Sequence, residues 1–478
     1  MSEITPNLKA LRIDHLQQSV NFSCVSGSML VYDSVGEAHS LENLLTDKAD
    51  GEPFTVWSLN EKTRRMEKTS VKMVIRQRTK QPMIRIKTSH ATLETTGTHK
   101  VMVNRNGDLT WSPASEICKG DLVMAPKTFF RAVKNCNWKD AITIKYESFP
   151  GEGNRPHGLA AKFQGSWQSL HLPSGFNLNI LYYLVGMLDA SGQINEEQGV
   201  IRFTAFDWPS MFSFASSMGD LFMLEPVISG DFDNGYAAEI LNKIGADILG
   251  YALRNLFQQE DSIVSSYLSG FLDASGYIET SDNGPLIQFF VKDAVKKHRL
   301  KKAMHVFGVL APKETRDLVI VEAFSDVENL GAAMDSRLDF NNSAFCDIAR
   351  SGFGPDKKNV GFRLGEKLIQ EREKLNIAKR DFGFSSAKIT RYEKDGIVPL
   401  ADAWAIAEKL QSKINPNGNL HATKTEITEL ISSDLIGVKV LSIEDIGEQW
   451  PYDIYCIDNH NFFANDILCR DCSEEVKS

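Results

Sequence analysis

An excess of positive charge is missing from this 478-residue sequence: 53 Lys and Arg stand against 62 Asp and Glu, a formal charge of −9. The balance gives no global reason to expect nucleic-acid binding. Apolar runs approaching the roughly 20 residues of a membrane span are also missing, and the leader MSEITPNLKALRIDHLQQSVNFS has no signal-peptide core. The expectation is a cytoplasmic protein, cytosolic or nuclear, without a membrane partner. Seven cysteines at irregular spacing argue against a disulfide framework, and the paired CxxC motifs of structural zinc are absent. Any cysteine used here is used for reactivity.

The length suggests about three domains at roughly 150 residues each. From Cys24 the chain runs through short strand-like pieces, FTVWSLN, VKMVIRQRTK, MIRIKTS and HATLETTGTHKVMV, with a hairpin turn at Asn106-Gly107. Many short strands with turn signals make this region all-β. Within it Thr96-Gly97-Thr98-His99 places a hydroxyl and an imidazole three residues apart. Near the other end, HNFFANDILCRDC reads as a hairpin in which Phe462, Phe463, Ile467 and Leu468 surround a turn at Asn465-Asp466.

Cys24 opening a β-rich region, TxxH about seventy residues on, and the terminal YDIYCIDNHNFFANDILCRDC together resemble the Hint domain of inteins, the self-splicing protein elements. The likeness covers Cys24 to Lys127 and Leu435 to Cys472. It implies that Ser23 ends an upstream extein, that Cys24 performs an N–S acyl shift, and that Cys472 begins the downstream extein and takes over the thioester. Imidazole titrates near neutrality, which suits His99 to protonate the leaving nitrogen, and the Thr96 hydroxyl suits the distorted peptide. By the same resemblance Asp453 tunes the thiols and His460 assists the final cleavage. The chain would then end shortly past a splice junction.

The resemblance has departures. The family places His-Asn before the second nucleophile, whereas this sequence has Arg470-Asp471. Asparagine cyclises through its amide nitrogen; an ionised Asp471 has none and must form a strained anhydride. Guanidinium stays protonated, so Arg470 cannot shuttle a proton. Final cleavage after Asp471 is expected to be impaired. Splicing itself needs no cofactor and acts on the exteins in cis.

Between the two halves lies an internal repeat: LVGMLDASGQI (Leu184 to Ile194) recurs as LSGFLDASGYI (Leu268 to Ile278), 84 residues on. Gly186 with Ala190, and Gly270 with Ala274, put a smooth stripe on each helix, so two helices can pack backbone to backbone. Strand-like segments follow both copies, and a pair of αββ units about a pseudo-twofold is the simple reading. The copies resemble the LAGLIDADG motif of homing endonucleases, whose αββαββα fold commonly sits inside inteins. In that family the eighth motif residue is a metal-binding acid; here it is Ser191 and Ser275. Asp189 and Asp273, two residues earlier, remain. Hydroxyls are poor Mg2+ ligands beside carboxylates, so the resemblance implies a DNA-binding fold with cleavage lost or reduced, and Mg2+ only if the nuclease is active.

Farther on, SSAKITRYEKDGIVP resembles a Cro/repressor helix-turn-helix. Ser385 caps a recognition helix carrying Ser386, Lys388 and Arg391. The stretch for the second helix, about Ala378 to Phe382, is one turn short, which leaves a plain basic helical linker open. Lys292, Lys296, Lys297, Arg299 and Lys301 in VKDAVKKHRLKK, with Lys388 and Arg391, are the candidate contacts to double-stranded DNA.

The expected fold class is multidomain: an all-β Hint domain split by an α+β endonuclease region and a small helical DNA-binding module. Its segments are an extein remnant at 1–23, Hint at 24–127, a linker or recognition region at 128–178, and the endonuclease-like region at 179–352. The helix-turn-helix-like module follows at 353–415, the Hint C-terminal part at 430–471, and a second remnant at 472–478. The expected state is a monomer. Alternatives are a free-standing DNA-binding regulator or an HO-like site-specific endonuclease with a vestigial Hint fold.

Overall fold

The computed structural model describes residues 9–12, 24–47, 54–77, 79–134, 147–149, 158–172, 175–281, 284–351, 359–394, 396–415 and 424–471. Ser23, Asp395 and Cys472 therefore lie outside the described residues. The chain divides into two compact units, residues 1–131 with 357–478, and residues 132–356. Among the described residues, no helix is long and apolar enough to cross a membrane.

In the first unit one long strand, Leu435–Gln449, joins pieces far apart in sequence. It pairs antiparallel with Gln81–Thr88 and, through its first half, with Leu122–Pro126. Leu122–Pro126 is buried at every position, as a strand covered on both faces must be. The short strand Val25–Ser26 lies between Thr92–Thr96 and Pro451–Cys456, with Val25 opposite Thr95 on one side and Tyr452 on the other. The chain ends in the hairpin Asn461–Ala464 and Ile467–Arg470. Its turn falls at Asn465-Asp466, both left-handed at φ 48° and 64°, the conformation that a two-residue type I′ turn demands. Val74, Ile86, Leu93, Val101, Val123, Val438, Ile454 and Leu468 are fully buried and form the core of this unit.

The helical segment expected as a separate module belongs to this first unit. Its leading strand, Val360–Arg363, adds to Leu435–Gln449 with Val360 opposite Val438. Helices Gly365–Lys374, Ser386–Glu393 and Leu400–Ile414 follow. Between the first two the chain makes a single 3-10 turn, Lys379–Phe382, ended by Gly383 at φ 79°. Arg372 pairs with Glu393 at 2.8 Å and Lys379 reaches the same carboxylate, so ion pairs fasten the helices.

The second unit repeats a pattern larger than the two-stranded unit read from the sequence. Its first half runs helix Leu178–Ser191, strands Gly192–Asn195 and Val200–Ala205, helix Trp208–Phe222, strands Val227–Asp231 and Gly235–Leu241, and helix Lys243–Arg254. The second half repeats that order: helix Asp261–Ser275, strands Gly276–Ser281 and Gly284–Phe290, helix Ala294–Val306, strands Lys313–Glu314 and Leu318–Val321, helix Phe324–Ala333. Both four-stranded sheets have strand order first, second, fourth, third. The two motif helices pack on each other. A Cβ on Gly186 would meet the carbonyl of Tyr267, and one on Gly270 the carbonyl of Tyr183. Only glycine lets the backbones come this close.

Candidate functional site

Cys24 enters the sheet with its side chain 1% exposed. Its main-chain N–H donates to Thr96 Oγ1 at 3.1 Å. Its carbonyl accepts from the Thr96 N–H and from Thr95 Oγ1, each at 2.9 Å. These bonds clamp the residue on both sides of its Cα. Gln77 Nε2 donates to Cys24 Sγ at 3.2 Å. Thr95 and Gln77 went unread in the sequence: Thr95 is signalled only by adjoining Thr96, and Gln77 sits in a polar run without a motif.

His99 is fully buried, and its N–H donates to the Thr96 carbonyl at 3.1 Å, which places it in the same turn as the Thr96 hydroxyl. The Phe462 ring meets the imidazole edge-on, centroids 6.4 Å apart. Antiparallel register sets Asp453 beside Cys24, because Val25 faces Tyr452 one position back. Asp453 is fully buried and accepts from the Ile454 N–H at 2.7 Å. The architecture thus gathers Cys24, Thr96 and Asp453 from three strands that meet only in the folded chain.

At the other end, His460 has φ 51° and its carbonyl accepts from the Asp471 N–H at 3.1 Å. Asp471 Oδ2 accepts from the Cys456 N–H at 2.8 Å and lies 3.6 Å from His460 Nδ1. The Arg470 guanidinium sits over the Trp111 ring, 5.6 Å from its centroid. Burial, followed by the charge of Asp471 and then of Asp453, pushes the Cys456 thiol well above its ordinary range. Burial and Asp453 likewise hold the Cys469 thiol up. Both shifts disfavour the thiolate, the form that acts as a nucleophile.

In the second unit the four motif positions divide by role. Asp189 accepts from Tyr267 Oη at 2.7 Å and pairs with Arg299 at 2.5 Å. Asp273 accepts from Tyr183 Oη, the Arg337 N–H and Asn341 Nδ2, each at 2.8 Å, and from Ser336 Oγ. Burial raises the Asp273 carboxyl despite these donors. Both carboxylates are engaged by the fold, Asp273 by four donors and Asp189 by two. At the helix ends Ser191 Oγ donates to the Ala274 carbonyl at 3.2 Å and Ser275 Oγ to the Phe271 carbonyl at 3.3 Å. Both hydroxyls are neutral and offer a divalent cation weaker ligation than carboxylates would.

The basic positions are largely engaged inside their own unit. Lys297 is buried and donates to the carbonyls of Thr315 and Arg316, both at 2.7 Å. Lys301 pairs with Glu314 at 2.9 Å, Lys296 donates to the Gly192 carbonyl at 3.3 Å, and Lys292 is exposed. Residues 132–356 contain 18 Lys and Arg against 28 Asp and Glu. In the first unit Ser385 Oγ caps its helix by accepting from the Lys388 N–H at 3.2 Å. Lys388 Nζ pairs with Asp402 at 2.8 Å, and Arg391 lies over the Tyr392 ring at 5.2 Å.

The profile described as intein splicing domain matches residues 33–470. Among solved structures, the chain is similar to a DnaB intein from Synechocystis sp. PCC 6803, with 24% identity and TM-score 0.19, covering 22% of this chain and 69% of that one. It is also similar to full-length WhiA from Thermatoga maritima, with 12% identity and TM-score 0.31, covering 55% of this chain and 92% of that one. The N-terminal LAGLIDADG domain of WhiA gives 12% identity and TM-score 0.28, covering 36% and 89%. No curated protein matches the chain.

Proposed function

The chain belongs to the intein splicing domain family, and from that premise we propose that it is an intein precursor that cuts its own backbone at Cys24, using no cofactor and acting in cis as a monomer. The clamp on Cys24 carries this reading. Its nitrogen, the leaving group of the acyl shift, lies 3.1 Å from the Thr96 hydroxyl, with His99 in the same turn. Cys24 Sγ loses its proton and attacks the Ser23 carbonyl, the C–N bond breaks, and the nitrogen takes a proton from the Thr96–His99 side. Cys472 then accepts the acyl group by thiol exchange. A reduced thiol suits a cytoplasmic setting.

The last step is impaired in this proposal. The Asp471 carboxylate is held by the Cys456 N–H, and it offers an oxygen nucleophile where an amide nitrogen gives the stable imide. Intact-mass analysis with and without a strong thiol tests the proposal. A thiol-released fragment ending at Ser23 supports it, and its absence at every pH sinks it.

For the inserted unit the proposal is a homing-endonuclease fold with cleavage lost or reduced. The engagement of Asp189 and Asp273 by neighbouring donors, with serines at the helix ends, supports that reading. Duplex DNA as its partner rests on exposed Lys292 and the partly exposed Lys296 and Lys301, whose bonds within the unit would compete with phosphate, and calls for weak, salt-sensitive binding.

A further inference from the structure

We infer that Gln77 is a catalytic residue of the acyl shift, its carboxamide N–H holding negative charge on Cys24 Sγ; this deepens the splicing reading and rests on it. Burial to 1% exposure takes the thiol out of water, which on its own disfavours the thiolate. In the same unit burial pushes the Cys456 and Cys469 thiols in that direction. A donor aimed at sulfur offsets it, because hydrogen bonds to a charged acceptor favour the charged form.

Gln77 is built to be that donor. It follows directly on strand Arg65–Arg76, and its main-chain N–H donates to the Pro451 carbonyl at 3.0 Å. Strand Pro451–Cys456 lies between the two residues, pairing Tyr452 with Val25 on one side and with Arg76 on the other. The backbone anchor leaves the side chain to reach Sγ, at 3.2 Å. A carboxamide is neutral at all working pH values, so it stabilises the thiolate without trapping it as a salt pair. The reaction stays balanced within the chain: Sγ–H is deprotonated, the S–C bond to Ser23 forms, the Ser23–Cys24 C–N bond breaks, and the Cys24 nitrogen is protonated.

The test uses the full chain with Gln77→Leu, which removes the donor, and Gln77→Glu, which replaces it by an acceptor. Hydroxylamine or dithiothreitol cleavage is followed by intact mass from pH 6 to 9.5, and the Cys24 thiol titration by selective 13Cβ labelling, assigned through Cys24→Ser. Gln77→Leu should slow cleavage about tenfold near pH 7, the worth of a modest charged hydrogen bond, and catch up at high pH. Its 13Cβ titration should move up by about one unit, and that of Gln77→Glu further. Slowing by one factor at all pH values, with an unmoved 13Cβ titration, would make Gln77 merely structural and overturn the inference; so would superposable profiles. If no variant, parent included, releases a fragment ending at Ser23, the splicing reading fails, and the 13Cβ titration still decides the role of Gln77.

Discussion

Asp471 and Cys456 are joined by a hydrogen bond from the Cys456 main-chain N–H to Asp471 Oδ2, 2.8 Å long and spanning 15 residues of sequence. The Asp471 side chain is therefore tied to the end of strand Pro451–Cys456. An asparagine there could keep the same acceptor with its carbonyl oxygen and leave its amide nitrogen as the nucleophile.

Asp471→Asn should consequently convert a stalled mixture into ligated extein, residues 1–23 joined to 472–478, with Arg470→His adding to the yield. Mass spectrometry reads the ligated peptide directly. An unchanged ratio of precursor to cleaved species after both substitutions would remove Asp471 as the cause of the stall.

Cys24→Ala should abolish thiol-induced release of the fragment ending at Ser23. Thr96→Val should slow it by about tenfold to a hundredfold, since it removes the hydroxyl beside the leaving nitrogen and one proton-transfer partner. Gel densitometry at fixed pH suffices. Release by Cys24→Ala at the parent's rate would place the nucleophile elsewhere.

Lys127 Nζ donates to the carbonyls of Ile431 at 2.5 Å and Ser433 at 2.6 Å, tying the first half of the splicing unit to the second. Burial, only partly opposed by the charge of Asp434, brings its ammonium down to about 8. In the unfolded chain the group titrates near 10.4, as an ordinary lysine does. Between those values the unfolded state binds more protons, so stability rises with pH across that window, by at most about 3 kcal/mol. Urea midpoints from pH 7.5 to 10.5 should climb in the parent relative to Lys127→Met. A parallel pair of curves would dissociate the rise from Lys127.

Gly270→Val should destabilise the second unit by about 1–3 kcal/mol or more, because its side chain would run into the Tyr183 carbonyl of the facing helix. Calorimetry should show one transition move down by several degrees. A transition that stays put would mean that the two motif helices do not meet there.

Duplex binding by the unmodified chain should fall steeply with added salt, and Mg2+ should produce no strand scission. Ser191→Asp with Ser275→Asp should recover part of the cutting on the cognate site. Efficient double-strand cleavage by the parent would return a catalytic role to Asp189 and Asp273, despite their bonds to Tyr267, Arg299, Tyr183 and Asn341.

Local signals made parts of this structure legible. The turns at Asn106-Gly107 and Asn465-Asp466 were readable because few residues tolerate positive φ, and each pair does so here. Gly186 and Gly270 were readable because small residues four apart leave a smooth helix face. What escaped is non-local. Nothing in VGFR announces that Val360 pairs with Val438, 78 residues on, and so the helical segment read as a separate module. Lys297 and Arg299 looked like a basic patch, since a sequence shows charges but not the carbonyls and carboxylates that consume them. Gln77 was invisible for the same reason: its meaning lies in a sulfur 53 residues upstream.

The strand Leu435–Gln449 also has a meaning in time. It pairs with Gln81–Thr88 and with Leu122–Pro126, and 308 residues separate Pro126 from Leu435. A ribosome adding roughly 5–20 residues per second needs about fifteen to sixty seconds to lay down that stretch. Throughout that interval Cys24 has Thr95 and Thr96 at hand but neither Tyr452 nor Asp453. Until strand Pro451–Cys456 emerges, Val25 lacks its pairing with Tyr452 and Gln77 lacks its anchor on the Pro451 carbonyl, so in the splicing proposal the surroundings of Cys24 are completed late in synthesis.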